Sequence, residues 1–200
     1  LISYIQDRYP EIPVILDAKR GDVGSTATQY AKEAFERYAA DAVTVNPYLG
    51  HESLAPYFEY ADRGVIVLCR TSNPGSDWIQ GIKVSGKPLY LSVAQQVHQW
   101  DENDQCMLVT GATYPEELGQ VRECVGDMPL LVPGVGAQGG DVKAVIKAGL
   151  DSSGAGLCIS SSRGIIYAGS GPDFGEQAGR AAKLLRDQIN GARLLVGTAA

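Results

Sequence analysis

Six short, β-branched apolar runs alternate with six segments of helical period, and this alternation narrows the possible folds more than any other feature. The runs are residues 13–16, 42–45, 64–69, 106–110, 129–135 and 155–160. They are apolar at consecutive positions rather than at every second one, as strands are when helices cover both faces of a parallel sheet. The helical segments are residues 25–40, 52–61, 89–100, 115–125, 141–148 and 174–190. In the first of these, Ala31, Ala34, Phe35 and Tyr38 make one apolar stripe. Ala148-Gly149 reads as a helix end before a strand.

Strand–helix alternation without a linker or a shift in composition predicts one α/β domain over residues 1–200. Two architectures satisfy it: an open doubly wound sheet, and a (β/α)8 TIM barrel, which takes about 250 residues. Six units are two short of a barrel, and 200 residues are short by a similar amount. The chain opens at Leu1 inside a helical pattern of Leu1, Ile2 and Ile5 that runs to Pro10. The expectation is a barrel whose first two βα units precede Leu1, some sixty residues at about 30 per unit.

Composition excludes several classes. Hydrophobic residues make up 44% and charged residues 20%, so the chain is neither disordered nor low-complexity. A net charge of −6 argues against binding a nucleic-acid polymer, while leaving room for local cations to hold a small anion. Four cysteines without a C-x-x-C pair, and two histidines, do not suggest a zinc site. Cys69, Cys106 and Cys158 lie in apolar runs and read as buried packing, which points to a reducing, cytoplasmic compartment. No apolar run reaches transmembrane length, so no membrane partner is expected.

Polar chemistry gathers at the C-terminal ends of the strands, the active face of either architecture. Asp17-Ala-Lys19 follows the first run, with Asp22 on the loop beyond. Two residues apart on a strand, Asp17 and Lys19 point to one face. A lysine between two carboxylates is a fixed ammonium suited to stabilising a carbanion and donating a proton. The same residues also read as a plain ion pair, with Asp22 and Ser25 capping the next helix. Gly134 to Asp141, including Gln138, forms a glycine-rich turn that can close backbone N–H groups around an anion, or can simply lead into a helix capped by Asp141. Arg163 directly follows a strand, and its guanidinium fork suits a phosphate, although a surface arginine is the simpler reading. If two units precede Leu1, these two loops follow strands seven and eight, the usual phosphate site of a barrel.

Thr71 to Gly75 is a turn whose hydroxyls could read a polar ring edge. Gly111 to Thr113 is expected to line the cavity, and Asn46-Pro47 either faces it or ends a strand. His51 and His98 read as structural.

The string Leu16-Asp-Ala-Lys-Arg-Gly-Asp-Val-Gly-Ser-Thr26 resembles the orotidine 5′-phosphate decarboxylase family. So do Thr71-Ser-Asn-Pro-Gly75, Pro133-Gly-Val-Gly-Ala-Gln138 and Ser161-Ser-Arg163-Gly-Ile-Ile-Tyr167, in the form of its bacterial subgroup with longer loops. The resemblance runs over nearly the whole chain from the third barrel strand onward. It implies a (β/α)8 barrel that converts orotidine 5′-phosphate to uridine 5′-monophosphate in pyrimidine synthesis, with neither metal nor organic cofactor. By the same resemblance Lys19 protonates the ring carbon after carbon dioxide leaves, and Asp17 lies against the substrate carboxylate. Asp22, with Thr26 nearby, reaches into the partner's site of a homodimer. Ser72 contacts the pyrimidine, and Gln138 and Arg163 grip the phosphate. The family's ribose-binding aspartate on the first strand and its lysine on the second have no counterpart in these 200 residues, and Ser162 stands where many relatives have glycine. Another sugar-phosphate lyase or isomerase of the superfamily, or a fragment that only binds phosphate, remain as alternative readings.

Overall fold

The structure is a computed structural model that describes residues 1–135 and 141–197. In chain order the elements are α1 (Ile2–Arg8), β1 (Ile15–Arg20), α2 (Gly24–Lys32), β2 (Ala42–Val45), α3 (His51–Phe58) and β3 (Gly64–Arg70). They continue with α4 (Asp77–Gln80), β4 (Lys83–Val84), β5 (Lys87–Pro88), α5 (Leu89–Trp100), β6 (Cys106–Thr110) and α6 (Pro115–Val125). The last are β7 (Leu130–Pro133), α7 (Val142–Gly149), β8 (Leu157–Ser160), α8 (Arg163–Ile166) and α9 (Phe174–Gly197). The fold is α/β, and each of the six expected strands is present.

Two compact units make up the chain. The first holds Leu1–Cys69 with Ser92–Leu108. Its strands run in the order β1-β2-β3, with the start of β6 beside β3. β1 and β2 pair in parallel, as do β2 and β3. Val43, Val45, Val65 and Val67 are fully buried, and Ala27, Ala31 and Ala34 are buried on the helical side. The small alanines let the helix lie close to the sheet, and Phe35 meets Tyr57 edge-on at 6.3 Å. His51 is exposed, and its ring lies against those of Phe58 and Trp100, with centroids 5.9 and 5.2 Å away.

Local chemistry moved several boundaries. Pro13 has no N–H to give a ladder, and the Val14 N–H is taken by the Asp41 carboxylate at 2.7 Å, so β1 starts at Ile15 and extends through the charged motif. The helix expected over 25–40 is α-helical to Lys32 and continues as a π-helical turn, Glu33–Arg37.

The second unit holds Arg70–Leu91 with Val109–Ala200. It contains the end of β6, then β7 and β8, which pair in parallel with Leu130 opposite Leu157 and Pro133 opposite Ser160. Leu118, Val121 and Val125 bury one face of α6, and Val145 and Ile146 that of α7. α7 does end at Gly149, but a left-handed turn is not the reason: a Cβ there would come within 3.0 Å of Leu118 and Leu157, so the glycine permits close packing. The hairpin β4–β5, which was not expected, turns on Ser85 and Gly86, both at positive φ. Its strands are two residues long and too short to show a hydrophobic period.

None of the four cysteines is in a disulfide. Cys106 is buried, and desolvation pushes its thiol up, as it does for Cys124 and Cys158. Among the described residues no helix is long and apolar enough to cross a membrane.

Candidate active site

The charged motif of the first unit is shaped by a bulge. Leu16 stands opposite Val43 and Arg20 opposite Val45, so Asp17, Ala18 and Lys19 all face the single residue Thr44. Lys19 adopts φ +49°, a left-handed conformation that an L-residue with a side chain holds only under constraint. The result is an ion pair of 2.6 Å between Lys19 Nζ and Asp17 Oδ1. Both side chains remain about half exposed at the strand end, 51% for Lys19 and 60% for Asp17. The expected pairing is therefore present, but the bulge produces it rather than simple strand alternation.

Thr44 is completely buried. Its hydroxyl donates to Asp17 Oδ1 at 2.9 Å and accepts the Lys19 main-chain N–H at 2.9 Å. The reading from sequence missed this residue. The available signal was a lone hydroxyl in the apolar run Ala-Val-Thr-Val.

Asp22 departs from expectation. It makes no ion pair with Lys19, and its Oδ1 accepts the Val23 N–H at 2.8 Å. Among the described residues Lys19 thus pairs with one carboxylate, that of Asp17, instead of two. The helix-capping alternative fails as well, because Val23 is the N-cap of α2 and no side chain caps it. Thr26 is exposed in the first turn of α2, at the rim of an open groove that Tyr30, Glu33 and Arg37 also line. Arg20, the neighbour of Lys19, points back into the unit. It pairs with Glu33 at 2.6 Å and lies 4.6 Å from the Tyr30 ring centre.

In the second unit Ser72 is half-buried just beyond β3. A Cβ on Gly111 would lie 2.8 Å from the Ser72 N, Cα and Cβ, so only glycine lets the two backbones pass. The turn carrying Ser72 hangs from Arg70, a second residue to which sequence assigned no role. Arg70 is 1% exposed. Its Nε donates to Glu117 Oε2 at 2.5 Å and its Nη1 to Ser76 Oγ at 2.6 Å, and it lies 4.6 Å from the Tyr114 ring centre. Ser76 Oγ donates in turn to the Thr71 carbonyl. Burial pulls the guanidinium down, while the hydrogen bond and charge of Glu117, with Asp77, outweigh it and hold Arg70 above its ordinary value.

Arg163 is exposed as the first residue of α8, and no hydrogen bond or ion pair ties its guanidinium among the described residues. It lines a cavity of about 160 Å³ together with residues 133–135 and 160–162. Gly134, which directly follows β7, is among the lining residues and holds φ +98°, a conformation that favours glycine. Three consecutive hydroxyls, Ser160 to Ser162, and an unengaged guanidinium make a cavity suited to an anion of phosphate size. Gln138 lies outside the described residues. Asp141 caps α7, its Oδ1 accepting the Lys143 N–H at 2.9 Å, as expected of that residue.

Comparison with known proteins places nearly the whole chain among relatives of one kind. Residues 1–176 match the family described as orotidine 5′-phosphate decarboxylase / HUMPS. The orotidine 5′-phosphate decarboxylase of Janthinobacterium sp. (strain Marseille) is 60% identical over 191 residues, which cover 95% of this chain and 70% of that protein. The enzyme of the same name from Cellvibrio japonicus (strain Ueda107) is 58% identical over 193 residues, 96% of this chain and 71% of that protein. Among solved structures, Leishmania donovani OMP decarboxylase superposes with a TM-score of 0.85 at 40% identity, over 96% of this chain and 73% of that one. That likeness favours the barrel architecture over the open doubly wound sheet.

Proposed function

The chain belongs to the orotidine 5′-phosphate decarboxylase / HUMPS family, and from that premise we propose that it acts as a carboxy-lyase, converting orotidine 5′-phosphate to uridine 5′-monophosphate in pyrimidine biosynthesis. The observation that carries the catalytic assignment is the Asp17–Lys19 ion pair, which stands at a strand end on a constrained backbone. The substrate carboxylate lies against Asp17, where like charge disfavours the ground state. The bond from the ring carbon to the carboxylate breaks, carbon dioxide leaves, and the electron pair stays on the ring carbon. The Lys19 ammonium stabilises that pair by Coulomb attraction and then gives it a proton, to be replaced from solvent.

Arg163 and the serines beside it hold the phosphate, and Ser72 reads the pyrimidine edge. Asp22 and Thr26 serve a partner's site in a homodimer. In support, the Asp22 carboxylate does not engage Lys19 of its own chain, and Thr26 is exposed at the rim of an open groove. No metal or organic cofactor enters this scheme. A reducing, cytoplasmic setting goes with it, supported by four free cysteines of which Cys69 and Cys106 are buried while Cys124 and Cys158 are half-buried.

The test is the ultraviolet absorbance of orotidine 5′-phosphate under the chain and its Lys19→Ala variant. Loss of kcat by far more than the 10²–10⁴-fold that general acid catalysis supplies, with affinity for uridine 5′-monophosphate retained, is the expected result. A native chain that binds the product and never turns over substrate replaces this reading with phosphate binding alone. Near-native kcat in the variant removes Lys19 as the donor.

A further inference from the structure

We infer that Thr44 is the positioning residue of the Asp17–Lys19 pair, holding both members through a single buried hydroxyl. The inference rests on the decarboxylase reading, in which that pair faces the reacting carbon.

A hydroxyl has one proton to give and lone pairs to accept with. Thr44 uses both on the same two residues: the proton goes to Asp17 Oδ1, and the oxygen takes the Lys19 N–H. The Asp17 oxygen that binds Thr44 is also the one that binds Lys19 Nζ at 2.6 Å. The carboxylate is therefore pinned from the buried side by the hydroxyl while the ammonium meets it from the exposed side. Asp17 and Lys19 are about half exposed, and an exposed ion pair is by itself a loose constraint on two flexible side chains. Thr44 has no exposure and sits in the middle of β2, so its oxygen is fixed by the sheet.

The backbone needs Thr44 as well. Through the bulge, β1 advances four residues from Leu16 to Arg20 while β2 advances two, from Val43 to Val45. At φ +49° the Lys19 N–H takes a side-chain oxygen in place of a carbonyl of the ladder. Thr44 thus stabilises the backbone turn that carries the lysine and aims the carboxylate at its ammonium. Valine has the same shape without the hydroxyl, and serine keeps the hydroxyl without the methyl.

The experiment compares the native chain with Thr44→Val and Thr44→Ser. It measures kcat and KM for orotidine 5′-phosphate, affinity for uridine 5′-monophosphate, and hydrogen exchange of the Lys19 amide by nitrogen-15 NMR. In Thr44→Val, kcat should fall on the order of 10–100-fold, the effect of a lost hydrogen bond to a charged group. KM and product affinity should hold within about threefold, and Lys19 amide exchange should accelerate at least tenfold, as expected when a protecting bond is lost. Thr44→Ser should recover most of kcat and of the amide protection. A valine variant with native kcat, or a serine variant as impaired as valine, overturns the inference. If the native chain releases no carbon dioxide, the decarboxylase reading fails by itself. Lys19 amide exchange then decides the role of Thr44: protection lost with valine and kept with serine supports it, and unchanged protection ends it.

Discussion

Replacing Glu117 by glutamine should destabilise the protein well beyond what a surface ion pair is worth. Arg70 is 1% exposed and meets Glu117 through two oxygens, at 2.5 and 3.3 Å. Glutamine keeps the size of Glu117 and part of its hydrogen bonding but leaves the guanidinium buried without its main counter-charge. Removing one partner of a buried pair costs about 3–5 kcal/mol. Glu117 is itself 26% exposed and Asp77 remains at 3.3 Å from Nη2, so the lower end applies, about 3 kcal/mol. For a chain of this size that lowers Tm by roughly 6–12 °C, at about 2–4 °C per kcal/mol. Asp77→Asn is the internal control: the Asp77 side chain is 72% exposed, and its loss should cost under about 1 kcal/mol. The double variant Arg70→Met/Glu117→Leu removes both charges and should regain most of the stability. Urea unfolding followed by circular dichroism reads all three. A Glu117→Gln cost below about 1 kcal/mol, or an equal cost for Asp77→Asn, would falsify the view that this pair is what secures Arg70. Because Ser76 ties Arg70 to the Thr71 carbonyl, a loosened Arg70 should also raise KM through the turn that carries Ser72.

Tyr57 is buried, its hydroxyl has no partner among the described residues, and its phenol is pushed up to about 12, chiefly by burial with Arg20 opposing. The native state keeps this proton where the unfolded chain releases it near 10, so stability should fall as pH rises from about 10 to about 12, by about 3 kcal/mol in total. Tyr57→Phe should lack that component and match or exceed the native protein at pH 7; equal alkaline losses in both, measured by denaturation, exclude it. Arg163→Ala should weaken binding of uridine 5′-monophosphate by the equivalent of about 1.5–3 kcal/mol and leave uridine unaffected. Calorimetric losses of the same size for both ligands contradict a phosphate role. Asp22→Asn mixed with Lys19→Ala should regain activity, because one site of the mixed dimer has both residues intact. Verified subunit exchange without recovery shows that Asp22 does not act in trans.

The α/β class, the six strands and the polar strand ends are legible in the sequence because they arise from local patterning. A parallel strand covered on both faces must be apolar at consecutive positions, and its first polar residues mark where it emerges. Asp17, Lys19, Ser72 and Arg163 could be picked out for that reason. Their partners could not. Thr44 meets Asp17 and Lys19 only because two residues are gained in the register of β1 against β2, and no periodicity along either strand records that gain. Arg70 reads as one more polar strand end, yet it is buried, because Glu117, 47 residues away, neutralises it. Gly111 is small because Ser72 crosses it, and Gly149 because Leu118 packs on it. The local pattern specifies which elements form and where they emerge, since each residue's preference depends on its neighbours in the chain. Register, counter-charge and close approach depend on residues brought together from distant strands and helices, and only the tertiary structure sets those.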